Sequence, residues 1–509
     1  MAHLLTLVFV ALVIVYGGLL AVLHMTQSKS EPVLLPIKIP FLDPAIGIAR
    51  HKVKYLVNLK KQFRLPIHTL RMPFQRMYVI NAPHLIQAVQ TKANLKVFVP
   101  NLLDFGMMFS GLSNEGRKVM AEAVSCSGNN FTRAVHKYLL SGQSLRAATR
   151  TAIDCLAMSV PNSLARRRQI SMLEYIRHEM MLAMTSAIYG PENPYEDPAI
   201  EASWLEFVPG ISHLLYSPFP RITARKALQA RDRITTAFQK YYATGGHLQA
   251  FAMIDDMYRK NLESGLSKVD SARMEMATSL AMLSSGAITQ FWLLFHIVSD
   301  AEILAAVRKE LLLLVVKETK TATGYAKVVD ASKIKTECHT FIAVFNEMLR
   351  YHSTLINVKK VAHDTTLDSK YYLKQNGTIM IPGTAVHHDT DIWGATAESF
   401  DHTRFFDPKG LKNLTNSTAF RPFGAGSTMC PGRNFSINLI HTMAVMLLLQ
   451  YDFVPVGGVW NMPSKHNADL WNAMPKPDED VRVEVTPRKD AWGVEWKFIW
   501  GDDGGLGEQ

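Results

Sequence analysis

The chain has 509 residues, 48% of them hydrophobic, four cysteines and a formal net charge of +11. The cysteines, at 126, 155, 338 and 430, match neither a zinc-site spacing nor a disulfide framework, which excludes a small stapled module and places the catalytic part in a reducing compartment. No basic run is interleaved with aromatics, so the charge speaks for a solvated surface, an anionic lipid face or an acidic partner rather than nucleic acid.

The first element settles the expected location. Leu4 to Leu23 is an uncharged run of 20 residues, the length a helix needs to cross a bilayer. No Lys or Arg precedes it and no small-x-small cleavage site follows, so an uncleaved anchor is expected rather than a signal peptide. Positive charge lies downstream, at Lys29, Lys38, Arg50, Lys52 and Lys54, which puts the bulk of the chain on the cytosolic side. The expected organisation is an anchor over 1–28, a proline-rich connector over 29–48 and one large domain over 49–509, with no linker or repeat inside it.

Short strands are predicted at 67–70 and 77–80, and a helix opened by Pro83 over 83–92. Helical periodicity then dominates, over 139–156, 170–189, 222–242 and 273–299. The last of these is apolar nearly all round and belongs in the middle of a core. A strand at 378–381 and a buried helix over 436–449 follow, and 481–485 with 496–500 are predicted to pair as a terminal hairpin. The fold class is therefore mainly α with small β-sheets, behind one transmembrane helix.

Between the last strand and the last buried helix lies Phe423-Gly-Ala-Gly-Ser-Thr-Met-Cys-Pro-Gly-Arg433, a glycine-rich loop carrying a cysteine. A thiolate that holds iron needs backbone amides near its sulfur, and Gly424, Gly426 and Gly432 permit that approach. By itself Cys430 also fits a buried structural thiol. The loop resembles the haem-binding loop of the cytochrome P450 family, with Phe423, Gly426, Cys430 and Gly432 in its recurrent places, and Arg433 follows them. Three further segments carry the resemblance. Glu347-Met-Leu-Arg350 matches the Glu-x-x-Arg motif on a predicted apolar helix, Arg404 stands where the family adds a third member, and His388 to Gly394 resembles a structural His-x-Asp stretch ending in Trp-Gly. The order of predicted elements is that of the same fold.

The resemblance implies a haem b held by Cys430, a structural role for Glu347, Arg350 and Arg404, and oxygen insertion into a C–H bond of a terpenoid, steroid or other lipophilic secondary metabolite. It also implies electrons from NADPH-cytochrome P450 reductase at the endoplasmic reticulum membrane, docked on a basic surface that includes Lys409, Lys412 and Arg421. The alternative is a haem-thiolate isomerase or dehydratase that rearranges a peroxide without external electrons.

The chain also departs from the family. Thr428 stands where most members have a cation for a haem propionate, so that anion needs another partner: Lys360 first, Arg117 or Lys118 second. Thr428 and Pro431 resemble the branch of cholesterol 7α-hydroxylase and prostacyclin synthase. Pro431 has no N–H, which removes one potential hydrogen bond to the sulfur and implies a more electron-rich thiolate. In the central helix one register keeps Thr289 as the distal alcohol but has Ile288 for the acid, and another, anchored on Phe291-Trp292, puts Ser285 there. Neither has an acid, and both hydroxyls also fit simple back-bonding to the preceding turn. Phe105, Met107, Met108, Phe109 and residues 353–357 are pocket candidates by position.

Overall fold

The computed structural model describes residues 2–501 apart from 37, 92, 93, 95, 101–105, 108, 128, 129, 218, 323, 408 and 409. Phe105, Met108 and Lys409 lie outside the described residues. The N-terminal helix Ala2–Thr26 is long and apolar enough to cross a membrane, and its side chains from Leu4 to Tyr16 stand exposed. The segment 268–298 passes the same length test but is mostly buried inside the protein, which makes it a core element.

The connector is not a free spacer. Val33 and Leu35 bond Thr69 as an added edge on the first strand, and Arg76 and Lys374 both donate to the Thr26 carbonyl at the end of the first helix. The Glu31 carboxylate is fully buried between Tyr78 Oη (2.9 Å) and Arg76 Nε (2.9 Å). Helix Asp43–Phe63 begins inside the predicted connector, with proline in its first turn where no N–H is needed.

The main sheet has five strands in the order Ile67–Met72, Gln75–Ile80, Thr378–Pro382, Ile356–Val361, Phe98–Pro100. It joins the start of the chain to the segment that follows helix His339–His352. The terminal hairpin does not form. Arg482–Pro487 sits between Tyr451–Pro455 and Gln169–Ser171, so both its edges are occupied, and Val494–Ile499 instead pairs in parallel with Gly324–Asp330. Helices Gly286–Val298 and Arg433–Gln450 cross in the core and are buried along almost every face. That is what apolar residues on all sides require.

The segment predicted as one helix over 273–299 is two, Lys268–Leu283 and Gly286–Val298, with the break at Ser284 and Ser285. A Cβ at Gly286 would stand 3.6 Å from Met180 Cε and 3.7 Å from Ser436 Oγ. The break thus lies beside the first turn of the helix that follows Cys430.

Candidate active site

The cysteine loop is built by two left-handed glycines. Gly424 (φ +77°) and Gly426 (φ +58°) turn the chain so that Cys430 N reaches Phe423 O at 2.8 Å. A Cβ at Gly424 would stand 2.7 Å from Thr428 O. Gly432 has ordinary backbone angles and open surroundings, so its contribution is its amide rather than its freedom. Burial pushes the Cys430 thiol up, and the Gly432 amide, the Arg433 charge and the Arg433 amide pull it down. Two amides therefore serve the sulfur although Pro431 offers none. Arg433 Nη1 also donates to Cys430 O at 3.0 Å.

Thr428 donates to Ala425 O at 3.0 Å and serves the loop itself. Of the strand that carries Lys360, alternation exposes Lys360 and buries Lys359 with Asn357 and Val361. Arg117 and Lys118 are exposed. Arg421, expected on a docking surface, is 1% exposed and sits against the Cys430 loop. It donates to Asn357 Oδ1, and the Gln90 carboxamide oxygen, in the orientation that satisfies its neighbours, accepts from Nη2 (2.7 Å) and Nη1 (3.1 Å). Its Nε is buried without a partner among the described residues. Burial pushes the Arg421 guanidinium down to about 10, and burial followed by the Arg421 charge pushes Lys359 down. A buried guanidinium with an orphaned donor is suited to an anion. With the amide-lined thiol beside them, these residues fit a haem: sulfur for iron, cations for carboxylates.

On the other side of the loop, the broken helix opens one face of an otherwise buried core element. Ala281 is exposed, and Met282, Leu283, Ser284, Ser285 and Ile288 are partly exposed. Thr289 is 5% exposed and its Oγ1 back-bonds to Ser285 O at 2.8 Å. Ser285 instead donates across to Asn472 Oδ1 at 3.1 Å. The structure thus separates the two candidates, one closed on its own helix and one at the open face. Ser353 and Thr354 bind the 472–473 backbone: Ser353 Oγ reaches Ala473 O at 3.3 Å, Thr354 N the same oxygen at 2.9 Å, and Thr354 Oγ1 reaches Asn472 O at 2.9 Å. Phe109 is fully buried and Met107 packs on a small cluster around Met120.

The Glu347–Arg350 pair is buried and bidentate, with Arg350 Nε and Nη2 each 2.7 Å from a Glu347 oxygen. The rest of the guanidinium spans the following chain, donating to His387 O (2.7 Å), Ala397 O (2.8 Å) and Ser399 O (2.9 Å). Arg404 joins through Nε at 3.5 Å from Glu347 and donates to Trp393 O and Thr396. His387 carries the network onward, since its Nε2 accepts from the Arg421 amide at 2.9 Å. An unbroken polar path links the Glu-x-x-Arg helix to the loop that holds Cys430.

Sequence reasoning missed Lys359, Asn472 and the burial of Arg421. Period-two alternation along Ile-Asn-Val-Lys-Lys-Val was the available signal for the first. For the other two, partners about 64 and 187 residues away leave no local signal.

The sequence pattern described as Cytochrome P450 matches residues 34–478. Cytochrome P450 monooxygenase nodJ of Hypoxylon pulicicidum is 28% identical over 477 residues, 92% of each chain. A cytochrome P450 monooxygenase of Gibberella zeae is 26% identical over 512 residues, 94% of this chain and 95% of its own, and cytochrome P450 monooxygenase poxD of Penicillium oxalicum is 24% identical over 89% of this chain and 93% of its own. The chain belongs to the cytochrome P450 family, the haem-thiolate monooxygenases.

Proposed function

We propose that this chain is a membrane-anchored P450 monooxygenase of a secondary-metabolite pathway, with Cys430 as the thiolate ligand of haem b and a terpenoid, steroid or similarly lipophilic substrate. The observation that carries the reading is the Cys430 loop, where two amides and the Arg433 charge converge on one partly buried thiol. Bound haem supplies activation of O2 and its transfer to a C–H bond.

The chain's own residues do the rest. The Gly432 and Arg433 amides stabilise negative charge on sulfur. Arg421, with its orphaned Nε, and the neighbouring Lys359 would hold the propionates, the role that Thr428 does not fill. Glu347, Arg350 and Arg404 hold the segment from His387 to Arg421 and so the loop behind Cys430. The open stripe of the central helix, with the Ser284 and Ser285 hydroxyls, is the face offered to the reacting side. Electrons come from a reductase, here NADPH-cytochrome P450 reductase, which meets exposed cations such as Lys412 rather than the buried Arg421. The exposed N-terminal helix holds the domain at the endoplasmic reticulum membrane.

The peroxide-isomerase reading is not favoured, since the relatives that span about nine-tenths of the chain are named monooxygenases. A carbon monoxide difference spectrum of wild type and Cys430→Ala tests the ligand. Product profiling of lipophilic extracts with reductase and NADPH tests the reaction. A thiolate-type Soret band that survives Cys430→Ala, or turnover of a hydroperoxide without electrons, overturns the respective half.

A further inference from the structure

An α-helix that breaks in the middle of a core has to satisfy its loosened backbone and side-chain groups locally, and an inserted side chain is one recognised cause of such a break. Here the inserted side chain is Asn472. Its Nδ2 donates to Ser284 O at 3.4 Å, and its Oδ1 accepts from Ser285 Oγ at 3.1 Å and from Met474 N at 3.2 Å. All three contacts fix which way the carboxamide faces, because the oxygen meets two donors and the nitrogen meets a carbonyl. The segment that carries it is pinned on both flanks, by Thr354 to the Asn472 and Ala473 carbonyls and by Trp292 Nε1 to Pro475 O at 2.8 Å. Asn472 is therefore held in place before any ligand arrives.

We propose that Asn472 is a positioning residue of the active site, which clasps the broken helix and fixes the Ser285 hydroxyl at its open face. The open stripe from Ala281 to Ile288 contains no titratable side chain, and Thr289 is closed on the Ser285 carbonyl. Ser284 and Ser285 are the partly exposed hydroxyls of that stripe, their oxygens 3.4 Å apart, and Ser285 is the one that donates to Asn472. With its proton committed to Asn472 Oδ1, the Ser285 oxygen is left as an acceptor. The assignment rests on the monooxygenase reading for what occupies the opening, and on hydrogen bonds alone for the clasp.

Carbon monoxide on the reduced, haem-loaded protein is the probe, because its C–O stretch in the infrared responds to the dipoles that face it. Asn472→Leu frees the Ser285 proton to turn toward the ligand and shifts the stretch, whereas in a Ser285→Ala background the same substitution leaves it unmoved. A shift that persists without Ser285, or no shift in either background, overturns the proposal. Amide exchange over residues 284–288 in the same preparations is the second measurement and needs no haem chemistry. Losing the clasp raises exchange there by about fivefold, while unchanged exchange overturns the clasp. If Asn472→Leu does not accumulate as folded protein, Asn472→Ser is read in the same way. Failure of the monooxygenase reading shows separately, as a wild-type protein that consumes no NADPH with reductase, and the exchange result still decides the role of Asn472.

Discussion

Replacing Arg350 by alanine removes five hydrogen bonds at once, two to Glu347 and one each to His387 O, Ala397 O and Ser399 O. The Glu347 carboxylate then keeps the Asp401 amide at 2.8 Å and Arg404 Nε at 3.5 Å, in a site fully closed to solvent. Breaking a buried pair by removing one partner costs about 3–5 kcal/mol. The three stranded carbonyls cost about 1–3 kcal/mol each where water does not reach them. Even the low end, about 6 kcal/mol, matches the whole stability of many domains, about 5–15 kcal/mol. Arg350→Ala is therefore expected not to accumulate as haem-loaded protein. Arg350→Lys keeps the charge but loses the planar fork, and is expected to fold with a loss of roughly 2–4 kcal/mol. Replacing both Glu347 and Arg350 by leucine leaves no buried carboxylate unpaired, while Arg404 keeps its bonds to Trp393 O and Thr396, and is expected to be less damaging than Arg350→Ala. Soret absorbance per polypeptide and the urea midpoint of the soluble fraction are the measurements. Wild-type haem content in Arg350→Ala, with a midpoint shift worth less than about 1 kcal/mol, would refute the reasoning.

Alanine substitutions in the cysteine loop are expected to rank by backbone geometry: Gly424→Ala worst, Gly426→Ala intermediate and Gly432→Ala near neutral, read as haem retained after purification. His441 is buried between Phe341 and Phe345 with no partner on either ring nitrogen among the described residues, and burial pushes it down to about 3, with the Lys335 charge adding to the shift. The unfolded chain then binds the extra proton below its ordinary value of about 6.5, so stability is full above that pH and falls as pH drops toward 3. At pH 5 the penalty is about 2 kcal/mol, and His441→Leu should flatten the pH 8 to pH 5 decline in urea-denaturation free energy by that amount; an unchanged slope counts against it. Arg421→Leu and Lys359→Met should each lower haem retention at low ionic strength while Lys360→Met leaves it unchanged, and equal losses in all three would place the anion elsewhere. Pro431→Ala adds an amide beside the sulfur and should raise the reduction potential of the bound haem, measured by redox titration; no rise removes the electron-rich thiolate from the account.

The parts whose chemistry is contiguous were legible in the chain alone. The cysteine loop, the Glu-x-x-Arg pair and the 20-residue apolar run each lie within a few turns of chain, so residue type and spacing carry their meaning. Helix and strand positions were legible for the same reason, since amphipathic period is a local property. The remaining features depend on which element covers which. Lys359 rather than Lys360 turns inward because Thr378–Pro382 and Phe98–Pro100 flank that strand and set its register. The last two strands part company because both edges of Arg482–Pro487 were already taken. The break of the central helix at Ser284 and Ser285 is met by a carboxamide 187 residues further on, a contact no local window contains. Arg421 is buried because Asn357 and Gln90 close around it. Burial is a long-range property, and it decides which of these cations and hydroxyls stand inside.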